Sequence, residues 1–244
     1  MENKDILFEN SRLLVRKVPG RPFTYFERLG VDSIAFLIFE RQADGLIKLG
    51  VIKEFKPSLV ERFDKDIFIP TAFGGSQDKI SREDYLNLSE DEKLNFMKNL
   101  AMTECKEESG FEIKDSERCY FTGIDFLSSQ MNQLVYNFAF DVTGLENTGT
   151  IPFNKYEAMS EVLWFYPEDF IRNVQCAKAK SIYVNLMRIL TDKLMEMESS
   201  KKAARVPFEP PLQVNKLLTE NKKVLINIPD NIPKEKRLQA RSFY

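Results

Sequence analysis

The chain has 244 residues, 30% charged and 43% hydrophobic, with 35 Lys+Arg against 37 Asp+Glu and not one histidine. Without imidazole no Ser-His-Asp or Cys-His nucleophilic site can be built, and histidine-ligated zinc is excluded. Catalysis is left to carboxylates, lysine, tyrosine, cysteine, or a hard metal held by oxygen ligands.

The formal net charge of −2 gives no strong electrostatic pull toward nucleic acid or an anionic membrane. Three scattered cysteines, Cys105, Cys119 and Cys176, form no C-x-x-C pair and fit a reducing compartment. The first five residues, Met-Glu-Asn-Lys-Asp, lack the basic-then-apolar build of a signal peptide. The longest strongly apolar run, 34–39, is six residues, too short to span a bilayer. The expectation is a soluble, globular, cytoplasmic protein without a membrane contact.

Residues 11–18 read as a strand ended by Pro19-Gly20. Residues 34–41 and 46–53 form a second and third strand, paired as a hairpin across the turn at Ala43-Asp44-Gly45. Residues 68–75 are a short apolar run closing on the double glycine Gly74-Gly75. Helix is expected over about 89–109, where Ser89 and Glu92 make a capping box and Gly110 supplies the stop. Residues 119–127 and 134–142 are β-rich, and 161–166 is a short strand stopped by Pro167. Helices follow at 167–175 and 180–198, the latter with an apolar stripe at 182, 183, 186, 187, 190 and 194. From about residue 200, five prolines break any long element. That predicts a domain over 1–199 and an extended arm over 200–244, with one candidate strand at 224–228. Hairpin-type connections make the class α+β, a mixed sheet sandwiched by helices.

The first of these helices carries the chemistry. Glu104, Glu107 and Glu108 stand at i, i+3 and i+4, on one helix face. Charge runs on helices are usually solvated faces. At 100° per residue, with Glu104 at the origin, Glu108 falls at about 40° and Glu107 at about 300°. Met97, Ala101, Leu94, Cys105 and Leu100 share that sector, while Lys106, Asn95 and Asn99 lie opposite. Carboxylates facing inward repel one another and resist desolvation, so they require a cation or a polar cleft. Oxygen-only ligation suits magnesium or manganese. Cys105 on the same face reads as a buried core thiol.

The stretch Thr103-Glu104-Cys105-Lys106-Glu107-Glu108-Ser109-Gly110-Phe111 resembles the second half of the Nudix box, G-x5-E-x7-R-E-U-x-E-E-x-G-U, where U is bulky and apolar. Gly74-Gly75 resembles the glycine that opens the box, and 161–168 the strand that closes such domains. The segment Lys53-Glu54-Phe55-Lys56-Pro57 is similar to the one preceding the box in ADP-ribose pyrophosphatases. Two departures stand out. Thr103 occupies the arginine position, and Gly75 and Thr103 are 28 positions apart, twice the interval of the box. The surplus falls between about Ser76 and Glu90, and Asn95 stands where the first glutamate of the box belongs.

The resemblance implies a Nudix fold and metal-dependent hydrolysis of a nucleoside diphosphate-linked substrate, such as ADP-ribose or NAD(H), at its pyrophosphate. It implies Glu104, Glu107 and Glu108 as ligands of Mg2+ or Mn2+, and Lys56, Gly74 and Gly75 as substrate contacts. The base is Glu104 or a later acid, with Glu157 and Glu161 as candidates. Ser128-Ser129-Gln130 stands where ADP-ribose enzymes often carry Ser-Pro-Gly. The alternative is a Nudix-like module that binds a nucleotide, or scaffolds a partner or second copy through the arm, without turnover.

Overall fold

The computed structural model describes residues 6–9, 13–18, 20–28, 32–76, 80–126, 131–150 and 160–205. The chain divides into two units, Met1–Met195 and Glu196–Tyr244. The candidate strand at 224–228, and the arm beyond 205, lie outside the described residues, as do Glu157 and the 128–130 segment. Among the described residues no helix is long and apolar enough to cross a membrane.

The hairpin expected from the sequence is present as β4 (Ser33–Arg41) and β5 (Ile47–Phe55), turned at Gly45, whose φ is 85°. β4 explains why its sequence is a continuous apolar run rather than an alternation. It is buried on both faces. Ile34, Phe36 and Ile38 enter one core layer with Met97, Leu100 and Ala101. Ala35, Leu37 and Phe39 enter the other with Phe170, Ile182 and Leu186. A fully buried Phe or Leu contributes about 1.5–3 kcal/mol, so this strand anchors both layers.

Five strands run in the order β10-β5-β4-β9-β8, where β8 is Cys119–Phe126, β9 is Leu134–Asp141 and β10 is Glu161–Phe165. The β4–β9 pair is parallel and the other pairings in this sheet are antiparallel. The sheet is therefore mixed, as the α+β expectation required. The 68–75 run is two strands with a bend at Ala72. β6 (Phe68–Thr71) pairs with the end of β5, and β7 (Phe73–Ser76) pairs with the start of β4. The two hairpin strands splay apart there, and the glycine strand fills the gap. A separate antiparallel sheet, β1 (Ile6–Glu9), β2 (Leu13–Lys17) and β3 (Thr24–Arg28), precedes the hairpin.

Helix α1 (Pro57–Phe63) follows β5, and α2 (Arg82–Asn87) occupies the surplus between glycines and acids. Neither was expected from periodicity; seven and six residues are too few to show one. Tyr85 on α2 is fully buried and donates a hydrogen bond to Asp32, 2.8 Å, whose other oxygen accepts from the Leu134 backbone N–H, 2.9 Å. Burial pushes the Asp32 carboxyl up, against the hydrogen bonds from Leu134 and Tyr85 that oppose it. The surplus is thus a core element. Glu27 on β3, also buried, is paired with Arg16 and with Arg82 of α2, which ties the small sheet to the same region.

The final helices are the short α4 (Pro167–Asn173) and the long α5 (Ala177–Arg205). α5 exceeds the expected 180–198 at both ends, so residues 200–205 are helical rather than extended. Its buried residues, Ala179, Ile182, Leu186 and Leu190, repeat at three or four positions, the spacing of one apolar face.

Tyr85→Phe should lower unfolding stability by about 1–3 kcal/mol, because it strips the buried Asp32 of a donor. Urea denaturation of the two proteins checks this.

Candidate functional site

The capping box starts α3 (Glu90–Glu104) as expected. The Ser89 side chain accepts from the Glu92 N–H, and Glu92 accepts in return from the Ser89 N–H, 2.8 Å. The helix does not continue in α geometry to Ser109. Residues Cys105–Ser109 form a π-turn, closed by Gly110 at φ 79°. A side chain on Gly110 would meet Asn147 Oδ1 at 2.5 Å, which gives the stop a steric reason beside its backbone conformation. Asn147 Nδ2 donates to the Ser109 carbonyl, 2.9 Å, and the Thr148 N–H donates to that of Gly110, 2.9 Å.

The π-turn corrects the inward trio. Wider i→i+5 turns advance each residue by less than the α-helical 100°, so Glu107 rotates away from the core and is exposed. Glu104 and Glu108 remain half-buried and meet the glycine strand. A Cβ on Gly75 would lie 2.8 Å from both Cδ and Oε1 of Glu104. Glu108 Oε2 accepts a hydrogen bond from the Gly74 N–H at 3.2 Å. A side chain on Gly75 would push the Glu104 carboxylate away, whereas one on Gly74 would meet the Ile34 carbonyl oxygen at 2.8 Å, so strand packing and not an acid requires that glycine. Thr103, at the arginine position, turns its hydroxyl back to the Asn99 carbonyl, 3.0 Å.

Gly74 and Gly75 also line a pocket of about 260 Å³ in the splay between β4 and β5. Lys56, Arg28 and Lys178 lie on its walls with Glu54, and Lys56 pairs with Glu54. Three cations against one carboxylate make the pocket electropositive. Burial lowers the Lys178 ammonium below its ordinary range, with nearby Cys176 and Asp125 opposing and Lys56 reinforcing. The three expected substrate contacts, Lys56, Gly74 and Gly75, therefore share one cavity, and two of the expected acids stand against its glycine wall. Glu161 does not line this pocket. It begins β10, is exposed, and faces Lys53 at 3.8 Å.

Among the described residues no three His, Cys, Asp or Glu side chains converge as a metal cage. Two carboxylates at one strand suit magnesium nonetheless, because that ion is commonly held by one or two carboxylates together with substrate phosphates. Glu104 and Glu108 are the donors that fit.

Sequence reasoning missed Arg28, Gln133, Cys176 and Lys178. They come from β3, the start of β9 and the start of α5, and no local spacing joins them. Cys176 immediately precedes α5, where the helix end favours a thiolate. Burial alone would push its thiol up, but hydrogen bonds from the Thr71 hydroxyl and the N–H groups of Ala72, Ala179 and Lys178 bring it below its ordinary value. Burial pushes the Cys105 thiol up to about 12 and that of Cys119 up to about 11.

No family model matches the sequence, and no curated protein matches it either. The architecture does match. A solved ADP compounds hydrolase superposes with a TM-score of 0.52 at 14% identity, over 77% of this chain and 91% of that one. The likeness is one of fold, a mixed sheet with packed helices. A protein from Listeria monocytogenes str. 4b F2365, described as a Nudix hydrolase, covers 66% of this chain and 95% of its own at 14% identity, with a TM-score of 0.42. The glycine strand and the acidic helix turn meet in three dimensions, with the intervening surplus folded into the core.

Iodoacetamide at neutral pH should alkylate Cys176 well before Cys105 or Cys119. A lowered thiol pKa leaves more thiolate at a given pH, so the Cys176 rate should rise at lower pH than that of a free thiol. Peptide mass mapping over a pH series checks both statements.

Proposed function

We propose that the chain is a metal-dependent hydrolase of a nucleoside diphosphate-linked substrate, ADP-ribose, NAD(H) or a related nucleotide, cleaved at the pyrophosphate. One observation carries this reading: Glu104 and Glu108 meet the same two glycines that line an electropositive pocket. Neither acid lines the pocket itself, and a diphosphate is the group that suits its cationic side. Its anionic oxygens complement Lys56, Lys178 and Arg28, while two carboxylates opposite need a cation between themselves and the substrate.

Glu104 and Glu108 would hold Mg2+ or Mn2+, with the exposed Glu107 of the same turn as third carboxylate. Bound there, the ion supplies charge neutralisation and an activated water. This chain's own residues do the rest. The Gly74 N–H orients Glu108. Gly75, having no side chain, lets Glu104 approach the strand, and the lysines position the diphosphate. The similarity in fold to an ADP compounds hydrolase supports the nucleotide as substrate class.

The alternative is a module that binds the nucleotide without cutting it. Thr103 in place of the arginine, and the exposed Glu107, favour it. The two readings separate in one assay, in which the full chain is incubated with ADP-ribose, NAD and diadenosine polyphosphates in magnesium or manganese. Hydrolysis releases nucleoside monophosphate. Glu104→Gln and Glu108→Gln should each lower kcat by roughly a hundredfold or more, about 2.7 kcal/mol of barrier. Glu161→Gln, which removes only an exposed pair, should change it by less than about threefold. Tight nucleotide binding with no product, unaffected by chelator, would establish the binding module instead.

A further inference from the structure

The pocket between β4 and β5 mixes two signs of charge. Lys56, Lys178 and Arg28 line it, and so does Glu54, the one carboxylate among its described lining residues. Glu54 lies near the end of β5, and Lys56 follows two positions later in extended backbone. Side chains at that spacing emerge on the same side of the chain, and these two pair there. The pair is open to water, with the Lys56 side chain 28% exposed and that of Glu54 34%. Ion pairs of that exposure add little to stability, so the fold does not account for a carboxylate at this place. For an anionic ligand it is a cost, since it stands among the cations that would hold the phosphates.

We infer that Glu54 is the specificity-determining residue of this pocket, rejecting the extra charge of a free terminal phosphate and so selecting a diphosphate esterified at both ends. The inference rests on the nucleotide reading of the same site and deepens it. Three cations less one carboxylate leave two net positive charges. A diphosphate esterified at both ends carries one ionised oxygen on each phosphorus and matches that count. A free terminal phosphate ionises a second time near pH ~6 and brings most of a further charge at neutral pH. In a partly buried pocket a charge left without a counter-ion is held at a penalty. A divalent ion at Glu104 and Glu108 would be cancelled by those two carboxylates and leaves the count unchanged. With glutamine at position 54 the pocket would carry a third net positive charge, and the discrimination would fall.

The test reads binding alone, on the full chain carrying Glu104→Gln and Glu108→Gln in chelator, which keeps the charge count and prevents turnover. Calorimetric titration at low salt compares ADP-ribose, esterified at both ends, with ADP, whose terminal phosphate is free. This parent should prefer ADP-ribose. Adding Glu54→Gln should lower the ratio of the two affinities by roughly tenfold, the effect of one nearby charge in a partly screened site. Adding Glu54→Asp, which keeps the charge, should change the ratio by less than about twofold. The same holds for Glu168→Gln, which removes an equal charge from an exposed pair on α4, outside the pocket. Glu54→Ser carries the comparison should the glutamine variant fold poorly.

A ratio unchanged in Glu54→Gln would overturn the inference. An equal fall in Glu54→Asp would do so too, because it would make shape the cause, and an equal fall in Glu168→Gln would reduce the effect to overall charge. Tighter binding of ADP than of ADP-ribose by the parent would also contradict it. In each of these cases binding of ADP-ribose leaves the nucleotide reading standing, whereas binding of neither probe removes both.

Discussion

The approach of Glu104 to Gly75 is the constraint on which the site depends. A Cβ on that glycine would lie 2.8 Å from the carboxylate and push it away from the strand. The contact places the Glu104 carboxylate against β7, which pairs with the start of β4 in the splay between β4 and β5. Glu108 accepts a hydrogen bond from the neighbouring Gly74 N–H one turn further on. Everything described as a site follows from that wall: acids behind it, a cationic cavity lined by it.

The acids are brought to the wall by a helix whose end is not α-helical. An unbroken α-helix would have turned Glu107 inward as well, crowding three carboxylates on an apolar face. The π-turn at Cys105–Ser109 releases one of them to solvent and leaves two. Repulsion among buried carboxylates makes that arrangement the easier one to hold without a cation. Cys105 and Ser109 are the buried residues of the turn, with their side chains 3.4 Å apart.

Much of the fold was readable because its signals are local. The hairpin announced itself through Asp44-Gly45 between two apolar runs, and α3 through Ser89, Glu92 and Gly110. The Nudix resemblance rested on five residues of one helix end and a glycine pair, and the likeness in fold is to an ADP compounds hydrolase. What escaped was non-local. The surplus between glycines and acids looked like a charged insertion, and only Tyr85, reaching Asp32 across more than fifty positions, makes it core. β3 carries no alternation that reveals it, since Glu27 is buried through pairing with Arg16 and Arg82. The π-turn is invisible to a helical wheel, which assumes a constant angle per residue. The pocket is the extreme case, because Arg28, Gln133 and Lys178 meet only after three separate elements are in place.

The central claim is that Glu104 and Glu108 form a divalent cation site at the glycine strand. Titration of the full chain with Mn2+, followed by electron paramagnetic resonance of the free ion, tests it without reference to any substrate. Saturable binding that is lost in the Glu104→Gln, Glu108→Gln double variant and kept in Glu161→Gln is the predicted result. Binding that survives the double variant, or is missing from the wild type both alone and with added ADP-ribose, would contradict it.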